Sequence, residues 1–223
     1  MKIEELEKVI IRDGLSPEIF DEYKKSLKRV KSNFLKRQHC YTTAIQFSGS
    51  RFEQAIQLIK YGLENYPDTW FSTYTSYLHI GNILESSGKY SEAFTAFLSA
   101  KDALSNDKPE YLYFISGKLM WMKLHIDGFN YSEEFEEYYN AFSNINDFSK
   151  GIINNEFMLS VGKTVISIKN NDTEKAKESL KNALSLCNPG VIGRLQQIFD
   201  KHKYTDKLNA TPESIAFVKS FSF

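Results

Sequence analysis

The sequence is poor in the residues that break helices and turn strands: 5 Pro and 11 Gly stand among 223 residues. It has no sustained alternation of apolar and polar residues between Asn-Gly or Asp-Gly turns, which argues against a sandwich or barrel built from hairpins. The 2 cysteines, Cys40 and Cys187, are too few for a disulfide framework and read as reduced thiols. No apolar run approaches the roughly 20 residues that cross a bilayer, and the opening Met1-Lys2-Ile3-Glu4-Glu5 lacks the apolar stretch of a secretion signal. A cytoplasmic location with no membrane partner is the resulting expectation. Net charge is missing too, since 28 Lys plus Arg meet 28 Asp plus Glu, so there is no bulk attraction to nucleic acid. A Gly-rich phosphate loop, His-Glu-x-x-His, paired Cys-x-x-Cys and a Gly-x-Ser-x-Gly elbow are all absent. His39, His79, His125 and His202 are scattered, and His39-Cys40 alone cannot make a zinc site of three or four ligands. No enzyme, no cofactor and no metal is expected.

What the chain does have is aromatic mass, with 17 Phe, 13 Tyr and 2 Trp, and apolar residues recurring at three- and four-residue steps. Both point to a mostly helical globular protein. All five prolines stand where a helix could begin: Ser16-Pro17, Tyr66-Pro67, Lys108-Pro109, Asn188-Pro189 and Thr211-Pro212. Three segments share an apolar residue, two spacers, Gly and a polar residue: Leu78 to Asn82, Phe114 to Lys118 and Leu159 to Lys163. A second recurring segment follows each, opening at Tyr90, Tyr131 and Thr173. The small-residue register runs through Ala55, Ala93, Glu134 and Ala176, in steps of 38, 41 and 42 residues. The third unit is stretched in its first helix or turn.

At these residues the chain resembles the tetratricopeptide repeat family. The segment from Tyr74 to Asp107 carries that pattern at Ile80-Gly81, Leu84, Gly88, Tyr90, Ala93, Phe97 and Ala100, with Tyr77 where the family often has Trp. Phe52, Ala55, Ile59, Gly62 and Pro67 carry it in the unit before. Gly117, Tyr131, Tyr138 and Ala141 carry it in the unit after, with Glu134 in place of the small alanine. Val161-Gly162, Val165, Ala176, Leu180, Ala183 and Pro189 carry it in the last. The resemblance implies an all-α fold, a right-handed α-α superhelix of about four helix pairs over residues 36–190. Residues 1–35 would be N-terminal capping helices, the second carrying Phe20, Tyr23, Leu27, Val30 and Phe34 on one stripe. Residues 191–223 would be C-terminal capping helices, with Ile192, Leu195, Ile198 and Phe199 on one stripe and a last helix opened by Thr211-Pro212.

The resemblance also implies a partner-binding groove lined by the first helix of each pair. Carried onto the matched segments, that face holds Leu78, Asn82 and Glu85, then Phe114, Lys118 and Trp121, then Leu159 and Lys163. Four-residue spacing puts each set on one stripe. Such a ladder suits a polypeptide carrying carboxylates and large apolar side chains. The competing reading is that Phe114 and Trp121 are core and the lysines solubilising. A two-carboxylate clamp is disfavoured because the first unit offers Cys40 and Ala44 where Lys and Asn would be needed.

The zero total charge conceals separation. Residues 23–52 carry 8 basic and no acidic side chains, and residues 124–149 carry 6 acidic and no basic ones. The stretch Lys24, Lys25, Lys28, Arg29, Lys31, Lys36 and Arg37 reads either as the polar face of one amphipathic capping helix or as a contact for nucleic acid or another anionic partner. The cluster Glu133, Glu134, Glu136 and Glu137 reads as a solvated helix face without a basic partner, and the two stretches could meet in a homodimer. The leading expectation is a non-enzymatic protein that holds another chain: a chaperone, an adaptor, an immunity protein or a peptide-responsive regulator. A regulator touching nucleic acid through residues 24–37 is the alternative.

Overall fold

A computed structural model describes residues 2–46, 51–67, 73–104, 109–143, 155–186 and 189–202. Of these residues 85% are helical and none lies in a strand. The helices are α1 (Ile3–Asp13), α2 (Pro17–Leu27), α3 (Asn33–Gln46), α4 (Phe52–Asn65), α5 (Thr73–Ser86), α6 (Tyr90–Asp102), α7 (Pro109–Asp127), α8 (Glu133–Ser143), α9 (Asn155–Lys169), α10 (Thr173–Ser185) and α11 (Pro189–His202). They fall into two compact units, Met1–Ser105 and Asn106–Phe223. The final helix expected from Thr211-Pro212, together with Cys187, lies outside the described residues.

Local chemistry explains most helix ends. Pro17, Pro109 and Pro189 each occupy a first helical position, where a missing N–H costs nothing. Pro67 differs: it follows α4, whose end is closed by the Tyr66 N–H on the Gly62 carbonyl at 3.2 Å. The Ser16 hydroxyl accepts from the Ile19 N–H at 3.3 Å and caps α2. Gly14 ends α1 with φ 94°, a conformation in which a side chain would be strained. Two side chains of α4 and its N-cap then hold that end: the Arg51 guanidinium donates to the Ile11 and Arg12 carbonyls at 3.3 and 3.0 Å, and Gln54 Oε1 accepts from the Leu15 N–H at 2.8 Å.

The N-terminal stripe is a point of correction. Phe20 to Phe34 do not form one helix, because α2 stops at Leu27 and two tight turns follow, Arg29 N–H to Ser26 O and Val30 N–H to Leu27 O, both at 3.0 Å. Ser32 then starts α3, its hydroxyl accepting from the Leu35 N–H at 3.2 Å. Tyr23 and Leu27 take the core positions, fully buried, while Phe34 is left 37% exposed. A serine able to cap outweighed a periodicity that ran on by chance, so a new helix opens at Asn33.

Four helix pairs follow among the described residues: α3 with α4, α5 with α6, α7 with α8, and α9 with α10. The small-residue register holds, with Ala55, Ala93 and Ala176 fully buried. Gly81 shows why. A Cβ there would sit 2.6 Å from Phe97 Cδ1, so only a bare backbone lets α5 lie this close to α6. Gly117 stands likewise against Phe142, at 2.9 Å, and Gly162 against Tyr139 Cε2, at 2.5 Å. The stretched third unit is α7 itself, 19 residues against 14 for α3 and α5.

Within the first unit the pairs stack. Arg37 on α3 donates to Thr73 and Ser76 at 3.3 and 3.4 Å, and Tyr41 meets the His79 ring edge-on at 4.7 Å. Those partners are 36, 39 and 38 residues apart and climb both helices together, so α3 and α5 run parallel at the spacing of one repeat. The second helices do the same: Lys89 at the start of α6 pairs with Glu53 at 3.5 Å and lies 4.8 Å from the Phe52 ring. In the second unit α9 lies beside α7 through Phe157 on Trp121, and Gly162 faces the Met120 methyl. Here α11 leaves the stack. It packs on α7, burying Leu195 and Ile198, and Lys201 Nζ donates to the His125 carbonyl at 2.7 Å.

Candidate functional site

The eight residues of the expected ladder divide between the two units. In the first, Leu78 and Asn82 are half-buried on α5 and Glu85 is 8% exposed. Asn82 Oδ1 is buried without a hydrogen-bond partner among the described residues, a state that costs on the order of 1–3 kcal/mol. In the second, Phe114 and Lys118 are half-buried on α7, Leu159 is half-buried on α9 and Lys163 is exposed. Trp121 is core: it is 7% exposed, edge-on to His125 at 4.8 Å and to Phe157 at 5.9 Å. Four-residue spacing placed it on the right helix, but α9 and α11 cover that stretch of α7.

Lys163 opens on a cleft of about 820 Å³ between α9 and α10, closed at one side by Tyr139 of α8. The α9 side is Ser160, Lys163, Ile166 and Ser167, continued by Asn170 just past the helix; the α10 side includes Lys175, Glu178, Lys181 and Asn182. Each side recurs at three- and four-residue steps, so each is one face of its helix. Asn182 Nδ2 donates to Ser160 Oγ at 2.7 Å and ties the walls together. Asp172 also lines the cleft, but it already accepts from the Lys175 N–H at 3.1 Å as the cap of α10. Three lysines therefore face two carboxylates, one of them engaged as a helix cap.

Counting from Gly117 and Gly162 brings Ile115, Trp121 and Met122 of the preceding pair level with Ser160, Ile166 and Ser167. The earlier three are buried, at 1, 7 and 0% exposed, whereas two of the three later positions carry hydroxyls. Ser160 and Ser167 are themselves 4 and 5% exposed, so the last pair also buries this face but furnishes it with hydroxyls, the Ser160 hydroxyl being met by Asn182. Of the expected ladder only Lys163 lines this cleft; Lys175, Lys181 and Asn182 of α10 join it there from outside the ladder, and their polar spacing along α10 is the one trace of this in the sequence.

The basic stretch is dispersed by the fold. Arg37 points inward, 3% exposed, on Thr73 and Ser76. Lys24 pairs with Asp21 at 2.5 Å and Lys36 lies 5.2 Å from the Tyr66 ring. Lys25, Lys28, Arg29 and Lys31 remain exposed around the turn between α2 and α3. The acidic cluster also needs correction, since two of its four members have basic partners. Glu134 takes Lys123 at 2.9 Å and the Tyr138 hydroxyl at 2.7 Å, which is how a carboxylate is tolerated at the alanine position. Glu136 takes the Tyr131 hydroxyl and Lys169, in that order of weight, and both hold its carboxyl below the usual range.

A second polar cluster joins α1, α2 and α3. Glu7 Oε1 lies 2.7 Å from His39 Nδ1 and accepts from the Thr43 hydroxyl at 3.0 Å, with Tyr23 on Thr43 at 3.4 Å. Cys40 beside it is fully buried, and burial, helped by the Glu7 charge, pushes its thiol up to about 12. A thiol so hard to ionise is a poor nucleophile at neutral pH, which makes the cluster a clamp on α1. No group of three His, Cys, Asp or Glu side chains able to hold a metal occurs among the described residues. No helix among them is long and apolar enough to cross a membrane. No protein-family model matches the chain, and no curated protein matches it.

Proposed function

We propose that this chain is a helical-repeat protein of the tetratricopeptide kind, its pairs wound as a right-handed superhelix, that holds a polypeptide partner in the cytoplasm without catalysis or cofactor. The observation that carries this reading is the stacking of α3 on α5 and of α4 on α6 at one repeat's spacing, with Gly81 and Ala93 at the close contacts. Helices arranged in this way leave long faces between rods, and such faces recognise extended or helical segments. The second unit supplies the chemistry. Its cleft sets lysines beside amide groups, which favours a segment carrying carboxylates and offering its own backbone to Asn170. Chaperone, adaptor, immunity and regulatory roles all use a surface of this type.

A regulator touching nucleic acid through residues 24–37 is the second reading; it would rely on Lys25, Lys28, Arg29 and Lys31, exposed around the turn at 28–32, and not on Arg37, which is buried. The decisive experiment is capture of the native partner from its source by the wild type and by Lys163→Glu with Lys181→Glu. Reversing two charges should abolish capture with helical content unchanged. Full capture by a folded double variant would remove the cleft from the reading.

A further inference from the structure

The corner between α2 and α3 carries positive charge that the fold does not use. Lys25, Lys28, Arg29 and Lys31 are exposed, and none makes an ion pair among the described residues. Lys25 suits its place, because cations stabilise the negative end of a helix such as α2. Lys28 and Arg29, directly after its last residue, suit the same end. Lys31 does not: it stands two residues before the positive end of α3, whose first turn holds no acid, so local electrostatics opposes it. Residues that break a local rule without an internal compensation mark places where something outside the chain supplies it. Next to them lie Phe34 and Leu35, 37% and 41% exposed. These two open α3 directly after the basic turn, so apolar and cationic side chains adjoin.

We propose that this corner is a docking surface for an anionic lipid membrane. The chemistry fits in both its parts: the cations meet phosphate and carboxylate headgroups, while Phe34 and Leu35 enter the boundary between headgroups and acyl chains. Nucleic acid would engage the four cations and stack a base on Phe34, but it gives the exposed Leu35 no role. The surface lies outside the α9–α10 cleft and does not depend on what that cleft holds.

Flotation with phosphatidylserine–phosphatidylcholine vesicles tests it, with pure phosphatidylcholine vesicles and single-stranded RNA as the other arms. The protein should float with the anionic vesicles only. Release should follow as ionic strength rises from about 0.1 to 1 M, which shortens the screening length from about 10 to 3 Å. Each cation near such a surface is worth about fivefold in partitioning, so Lys28→Ala, Arg29→Ala and Lys31→Ala together should weaken binding about a hundredfold. Leu35→Ser, alone and with Phe34→Ser, keeps every charge and should still reduce flotation, with circular dichroism reporting on folding. Lys163→Glu should leave flotation unchanged. The proposal is overturned if anionic vesicles do not bind, if the triple variant floats as well as wild type, or if RNA binds more tightly and Leu35→Ser changes neither.

Discussion

Gly81 and Gly193 are both helical glycines, and their surroundings give opposite expectations. Alanine at either would gain about 1 kcal/mol of helix propensity. At Gly81 the new methyl group would meet the fully buried Phe97 ring, 2.6 and 2.8 Å from two of its carbons, and overpacking costs about 1–3 kcal/mol. Gly193 has nothing within 4 Å of such a group. Urea unfolding should therefore show Gly81→Ala destabilised and Gly193→Ala more stable by somewhat under about 1 kcal/mol. A stabilised Gly81→Ala would contradict the packing assigned to α5 and α6. Ala93→Leu belongs with Gly81, since Ala93 has no exposed surface into which the larger side chain could turn.

His125 gives a residue-scale prediction about acid. It is 3% exposed, and burial first, then the charges of Arg194, Lys201 and His202, lowers its pKa from 6.5 to about 4. The folded protein thus keeps the ring neutral where the unfolded chain would bind a proton. Between about 6.5 and about 4 the unfolded state holds more protons, so stability present above this window is lost as pH falls through it. At the lower limit the loss is about 3 kcal/mol. Unfolding midpoints measured across this range should fall more steeply for the wild type than for His125→Gln. Identical slopes would mean that His125 is solvated in solution.

At the scale of the element, helix ends were easier to read than helix faces. Gly14, Ser16-Pro17 and Pro109 each announce a boundary through one backbone requirement, and each boundary is found. Faces depend on what covers them, which spacing does not carry: Trp121 sits where periodicity puts it yet is buried, and Lys163, one helix pair further on in the same pattern, is open. Glu134 was legible as an exception to the alanine register, but Lys123, which makes the exception tolerable, comes from the neighbouring helix. The docking of α1 was not legible at all, because Arg51 and Gln54 are ordinary polar residues near the start of α4 until the fold brings them to the end of α1. Arg51→Ala leaves two carbonyls without their donor and should cost about 1–2 kcal/mol. Hydrogen exchange should localise the lost protection to residues 3–13, and unchanged protection there would show that α1 is held by other contacts.

For the whole molecule, part of the separated charge is met within one copy. Glu134 and Glu136 are satisfied by Lys123 and Lys169 of the same unit, which leaves Glu133 and Glu137 as the exposed acids of that cluster. Sedimentation at low salt should give the monomer mass of 25.8 kDa. A dimer that dissociates with salt would restore the charge-driven pairing. The cleft of α9 and α10 points the same way, since its polar walls are a poor seat for a stacking helix of another molecule.

The parallel stacking of α3 on α5 bears on how the protein is made. Contacts such as Arg37 with Ser76 and Tyr41 with His79 close loops of only 39 and 38 residues, and the first unit ends at Ser105. A nascent chain leaving the ribosome at about 5–20 residues per second has each of these partners within seconds of the other. The first unit therefore completes its own contacts while the second is still being synthesised, and late translation proceeds behind a domain that is already folded.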